Sequence, residues 1–115
     1  MHVLQSIPEN FAVVDQLIKA GADINHKNMK GNTALMQATA SRYDLPMFEK
    51  LIEAGAAKTI NTVQITGYTA LGYACYFQCN PDVIKLLLKS GADFRVTSND
   101  GLTPLFTYQS NFQGL

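Results

Sequence analysis

The chain has 115 residues, 47% hydrophobic and 16% charged, which is the length of one domain and too apolar for disorder. Nine basic residues balance nine acidic ones, which argues against a nucleic acid or a membrane surface recruited by bulk charge. Apolar runs such as 83–88 are broken by Lys85 and are far short of a bilayer span. Met1-His2-Val3-Leu4-Gln5 lacks the basic start and apolar core of a signal peptide, so a cytoplasmic location is expected.

Two short signals recur in a fixed order. Gly31-Asn32-Thr33-Ala34-Leu35 returns as Gly67-Tyr68-Thr69-Ala70-Leu71 and as Gly101-Leu102-Thr103-Pro104-Leu105, with glycines 36 and 34 residues apart. Between them run Gly21-Ala22-Asp23, Gly55-Ala56-Ala57 and Gly91-Ala92-Asp93, spaced 34 and 36. Such self-similarity marks stacked supersecondary units. The first signal reads as a turn glycine, then an N-cap threonine, then a helix start; Pro104 suits that start because its missing N–H has no helical partner there. The second reads as a helix ending on a C′ glycine.

In chain order, residues 1–27 form a partial first unit. Its helix carries Val13, Val14, Leu17 and Ile18, apolar pairs four residues apart on one helical face, and closes on Gly21. Met1 stands level with Leu35, so the turn and capping threonine of this unit would precede the chain. Either the chain starts on an N-terminal capping helix, or it was cut from a longer protein.

Residues 28–63 form a full unit, with a first helix from about Thr33 to Arg42 and Tyr43-Asp44-Leu45-Pro46 as connection. The second helix turns Met47, Phe48, Leu51 and Ile52 inward and Glu49, Lys50 and Glu53 outward. The loop from Gly55 to Gly67 is two residues longer than its counterparts. Residues 64–98 form the next full unit, whose first helix holds Leu71, Tyr73, Cys75, Tyr76 and Phe77. Gly72 lies inside that helix at a cost of about 1 kcal/mol relative to Ala, and would let a neighbour come close. Residues 99–115 form a partial last unit, with a helix from Pro104 to about Tyr108. No second helix remains to cover Leu105, Phe106, Tyr108 and Phe112, so the chain is either truncated or uses this end for self-association or docking.

On these residues the chain resembles the ankyrin repeat family, which has a turn, two antiparallel helices and a Thr-Pro-Leu-His-x-Ala opening. Thr103-Pro104-Leu105 matches that opening; the copies at Thr33 and Thr69 match at Thr, Leu and the final Ala38 and Ala74. The histidine is replaced by Met36, Gly72 and Phe106, and the family's Gly-His between helices by Tyr43–Pro46 and Cys79–Asp82. The resemblance implies an all-α, ankyrin-type α-solenoid of stacked helix-turn-helix repeats joined by hairpin-like β-turn loops.

Candidate sites are then few. No catalytic motif accompanies His2 and His26, and no enzyme is expected. Cys75 and Cys79, four apart on one side of a helix, lack the further ligands zinc needs and read as buried free thiols. No metal and no cofactor are expected, and Asp23 and Asp93 read as turn formers bonding the local backbone. The structural residues are Gly21, Gly31, Thr33, Gly55, Gly67, Thr69, Gly91, Gly101, Thr103 and Pro104.

The resemblance further implies a concave surface lined by turn tips and first helices. Carried onto this chain, the tips are Asn28, Met29, Lys30 and Asn32, then Ile65, Thr66 and Tyr68, then Asn99, Asp100 and Leu102. The helix positions are Gln37, Ser41, Arg42 and Tyr43, then Tyr73, Tyr76, Phe77 and Gln78. Apolar and aromatic tips suit an interface. Tyr68 is assigned to binding, Tyr73 and Phe77 to packing. The expected function is binding of a partner protein through this face. The alternatives are a self-assembly module forming a homo-oligomer through its uncapped ends, and a fragment of a larger protein with a separate effector or enzymatic domain.

Overall fold

The computed structural model describes residues 9–41 and 44–112, with side chains in 11–41 and 44–110. Met1, His2, Arg42 and Tyr43 lie outside the described residues, as does the side chain of Phe112. Six α-helices follow one another: α1 (Glu9–Lys19), α2 (Ala34–Ala40), α3 (Leu45–Glu53), α4 (Ala70–Tyr76), α5 (Pro81–Lys89) and α6 (Pro104–Phe112). Among the described residues there is no strand.

The helix starts follow the capping logic. Thr33 and Thr69 keep extended backbone, and their hydroxyls accept from Met36 N at 3.4 Å and Gly72 N at 3.1 Å. Thr103 accepts from Phe106 N at 3.3 Å. Helix follows at the next residue in all three cases. The second helices carry proline in their first turn, where an amide N–H has no helical acceptor. They end on glycines in the left-handed region. At Gly91, φ is 104°, and the turn closes through Ala92 N donating to Leu87 O at 3.0 Å, a geometry a side chain resists.

The first helices α2, α4 and α6 pack side by side, while α3 and α5 pack behind α2 and α4 and against each other. Leu35, Met36, Phe48, Leu71, Val83 and Leu87 lie at the centre and are almost wholly buried. Dispersion and burial between neighbouring units therefore supply a core that no single hairpin contains.

Several expectations are corrected. α2 ends at Ala40, with Ser41 as its cap, and does not reach Arg42. Leu45 belongs to α3 rather than to the connection, and Pro46 stands in the first turn of that helix, where its fit to a helix start places it. The longer loop before Gly67 contains a 3₁₀ turn, Ala56–Thr59, and Ile60 just beyond it is buried in the core. Lys50 does not face water freely, because its Nζ lies 2.5 Å from Asp15 Oδ1 of α1. Cys75 and Cys79 do not share a helix side: α4 stops at Tyr76, and Cys79 follows it, buried, after Gln78 at φ 52°. α6 runs past Tyr108.

Candidate partner-binding face

The three first helices α2, α4 and α6 are each preceded by the same four-residue turn: Asn28–Gly31, Gln64–Gly67 and Ser98–Gly101. The glycine N–H donates back to the first residue's carbonyl at 2.9, 2.8 and 2.8 Å. The first residue's N–H donates to the carbonyl of Asn32, Tyr68 or Leu102 at 3.0, 3.0 and 2.9 Å. Its side chain then clamps the turn from inside. Asn28 Oδ1 accepts from Lys30 N at 2.9 Å and Asn32 N at 3.0 Å. Gln64 Oε1 accepts from Thr66 N at 2.8 Å, from Tyr68 N at 3.0 Å and from the Thr66 hydroxyl. Ser98 Oγ accepts from Leu102 N at 3.3 Å.

Neighbouring tips are joined. Ile65 N donates to Lys30 O at 2.9 Å, and Asn99 N to Thr66 O at 3.0 Å. The Asn99 side-chain amide donates to Ile65 O at 3.0 Å. A Cβ on Gly67 would stand 2.6 Å from Asn99 N, so this approach requires glycine. The tips thus form one hydrogen-bonded row rather than three independent loops.

Met29 and Ile65 occupy the same turn position, 36 residues apart, and project into water, Met29 fully and Ile65 at 68% exposure. Lys30, Thr66, Asn99 and Asp100 are exposed beside them, while Asn32, Tyr68 and Leu102 are half-buried. Behind the middle tip, four aromatic rings meet. Tyr68 stacks on Tyr73 with centroids 5.2 Å apart, and Tyr76 meets Phe77 edge-on at 5.0 Å. Tyr76 remains 45% exposed at the rim. Asn99 and Thr66 spend polar groups on the tip row itself. The clamping role of Asn28, Gln64 and Ser98 was not read from the sequence, because three residue types fill one position. Its signal was the shared place three residues before each turn glycine.

A second tie was also missed. Asn25 and Asn61 each reach one unit ahead, their amides donating to Gly55 O at 3.1 Å and Gly91 O at 3.0 Å. Asn61 Oδ1 also accepts from Asp93 N at 2.6 Å. The turn roles expected of Asp23 and Asp93 are seen in Asn25 N donating to Asp23 and Arg95 N donating to Asp93, both at 2.9 Å. The hydrogen bond from Arg95 lowers the Asp93 pKa, and Lys50 followed by Lys19 lowers that of Asp15. Burial pushes the Cys75 thiol up to about 11. Among the described residues no group of three His, Cys, Asp or Glu could hold a metal ion, and no helix is long and apolar enough to cross a membrane.

Stacked helical hairpins with a row of joined turn tips define an all-helical repeat solenoid. The family model for ankyrin repeats, three copies, matches residues 2–100, and the chain belongs to the ankyrin repeat family. It is 33% identical over 107 residues to ankyrin repeat and SOCS box protein 6 of Pongo abelii, covering 88% of this chain and 24% of that protein. It is 37% identical over 84 residues to a putative ankyrin repeat protein of Acanthamoeba polyphaga mimivirus, covering 73% of this chain and 10% of the relative. A putative ankyrin repeat protein of fowlpox virus is 38% identical over 50 residues, or 44% of this chain and 12% of its own length. The chain thus spans a quarter or less of the length of these relatives. Ankyrin repeats are generally protein–protein interaction modules, and the family is typically non-enzymatic.

Proposed function

We propose that this chain binds a partner protein through the tip row, with Met29 and Ile65 as apolar anchors and Tyr76 at the rim. The carrying observation is that two large apolar side chains stand in water on a backbone pinned by internal clamps and by bonds between tips. Preordered tips lose little conformational entropy on docking, so more of the apolar contact survives as affinity. Lys30 and Asp100 supply opposite charges at the two ends of the row and set orientation rather than affinity.

The test begins with co-purification on the tagged chain and identification of what is retained. Binding of the purified partner is then measured by calorimetry. Met29→Ala and Ile65→Ala, alone and together, are expected to weaken it at least tenfold. Glu53→Ala, away from the tips, is expected to leave it unchanged. Full affinity in the double variant refutes the placement.

A further inference from the structure

Charge is divided unequally between the two kinds of helix. α1, α3 and α5 hold three charged residues each, whereas α2, α4 and α6 hold none. From 59 to 81, a span that includes the middle tip and α4, the chain carries no charged residue at all. The first helices pack side by side behind the tips. The face they share with the tips is therefore nearly bare of charge, which is the composition of the core of an interface.

Among the described residues of the tips and first helices, three charges break that pattern. Lys27 and Lys30 belong to the first tip and Asp100 to the third, and all three side chains are exposed. Lys30, Thr66 and Asp100 hold the same turn position, 36 and 34 residues apart. The order in space follows the order in the chain, because Ile65 N donates to Lys30 O and Asn99 N donates to Thr66 O. The row therefore runs from cations, through an uncharged centre at Ile65 and Thr66, to an anion. The ion pairs lie elsewhere: Asp15 meets Lys50 and Lys19, and Asp93 meets Arg95. Among the described residues, Lys27, Lys30 and Asp100 have no ion-pair partner.

We propose that the partner is recognised by the order of its charges: an uncharged, apolar segment flanked by an acidic side chain over Lys27 and Lys30 and by a basic one over Asp100. This partner chemistry presupposes the tip row as the binding face and adds a direction to it. A segment laid the other way sets like charges together at both ends. A segment of one sign is attracted at one end and repelled at the other. Met29 and Ile65 supply contact area, and the end charges choose the partner and its direction.

The test uses the 115-residue chain as bait for a random peptide library displayed on phage. Peptides retained by the unaltered chain are expected to carry acidic residues at one end, apolar residues in the middle and basic residues at the other end. Two variants change the row: Lys27→Glu with Lys30→Glu, and Asp100→Lys. All three sites are exposed, and lysine already fills the turn position of Asp100 in the first tip. Thermal melts matching the parent confirm that both variants fold. Peptides selected on the parent are expected to bind each variant about tenfold more weakly at low salt, and the difference should shrink at high salt because exposed charges are screened. Selection on the first variant should retain peptides basic at both ends, and selection on the second, peptides acidic at both ends. Parent peptides of one sign or without charge overturn the proposal, as does undiminished binding to both variants. If such peptides still lose affinity for Met29→Ala with Ile65→Ala, the tip row stands and only the charge order fails. Binding that survives Met29→Ala with Ile65→Ala refutes the tip row itself, and a library from which the parent retains nothing overturns both.

Discussion

The ring of Tyr68 lies directly against Gly72: a Cβ built on that glycine would stand 3.0 Å from Tyr68 Cδ1. The missing side chain is what lets Tyr68 stack on Tyr73 and lie along α4. Gly72→Ala therefore sets a helix-propensity gain of about 1 kcal/mol against displacement of a packed ring. The expected outcome is a change in stability below about 1 kcal/mol by urea unfolding, together with a clear change in the tyrosine near-ultraviolet dichroism. An unchanged aromatic spectrum would show that Tyr68 does not depend on the glycine.

Gln64 is buried, and its Oε1 satisfies two backbone amides of the middle tip. Gln64→Ala leaves both N–H groups without that acceptor and is expected to cost about 2–3 kcal/mol. Hydrogen exchange at Thr66 and Tyr68 should accelerate before exchange in α5 does. Equal acceleration throughout would mean that the clamp stabilises the whole fold rather than the tip.

Asn61 links two units through Gly91 O and Asp93 N. Asn61→Ala is expected to lower stability by about 1–2 kcal/mol in chemical denaturation, since the freed groups regain water in part. Asn61→Asp keeps the acceptor for Asp93 N but sets a carboxylate oxygen against Gly91 O, two acceptors without a donor, and should cost at least as much.

Asp15 bridges α1 and α3, and its pKa is lowered chiefly by its hydrogen bond with Lys50, while that of Lys50 is raised by Asp15. A carboxyl with a depressed folded pKa stabilises fully above its ordinary value of 3.8 and loses that contribution as pH falls through the folded value. A lysine with a raised folded pKa stabilises below its ordinary value of 10.5 and loses it as pH rises through the folded value. The melting temperature should therefore fall below pH 4 and again above pH 10.5. Asp15→Asn should flatten both limbs relative to the parent; identical pH profiles would remove the pair from the account.

The Cys75 thiol, at about 11, is almost entirely protonated at pH 8, roughly one part in a thousand thiolate. Native protein is expected to react with a disulfide reagent at least tenfold more slowly at Cys75 than a free thiol does, and to release both cysteines on unfolding. Fast native labelling at Cys75 would contradict its burial.

Gln78 takes φ 52°, and the end of α4 closes through Cys79 N donating to Ala74 O at 2.9 Å. Its amide donates to Tyr108 O at 3.3 Å, a contact 30 residues on. The left-handed residue was invisible in the sequence because glutamine carries no conformational signature. The Asp15–Lys50 pair was equally hidden, since both residues read as solvent-facing on their own helices.

What the chain order of residues determined by itself was the local grammar: a threonine before each first helix, a glycine after each second, and an apolar stripe between them. Those features are short-range, because capping and turn chemistry act within four residues. Which exposed side chains stand free, which polar groups clamp the tips, and which leucines at equivalent positions end dry or wet were decided only by tertiary structure. Burial depends on the neighbour that packs alongside, and a helix carries no record of whether that neighbour is there.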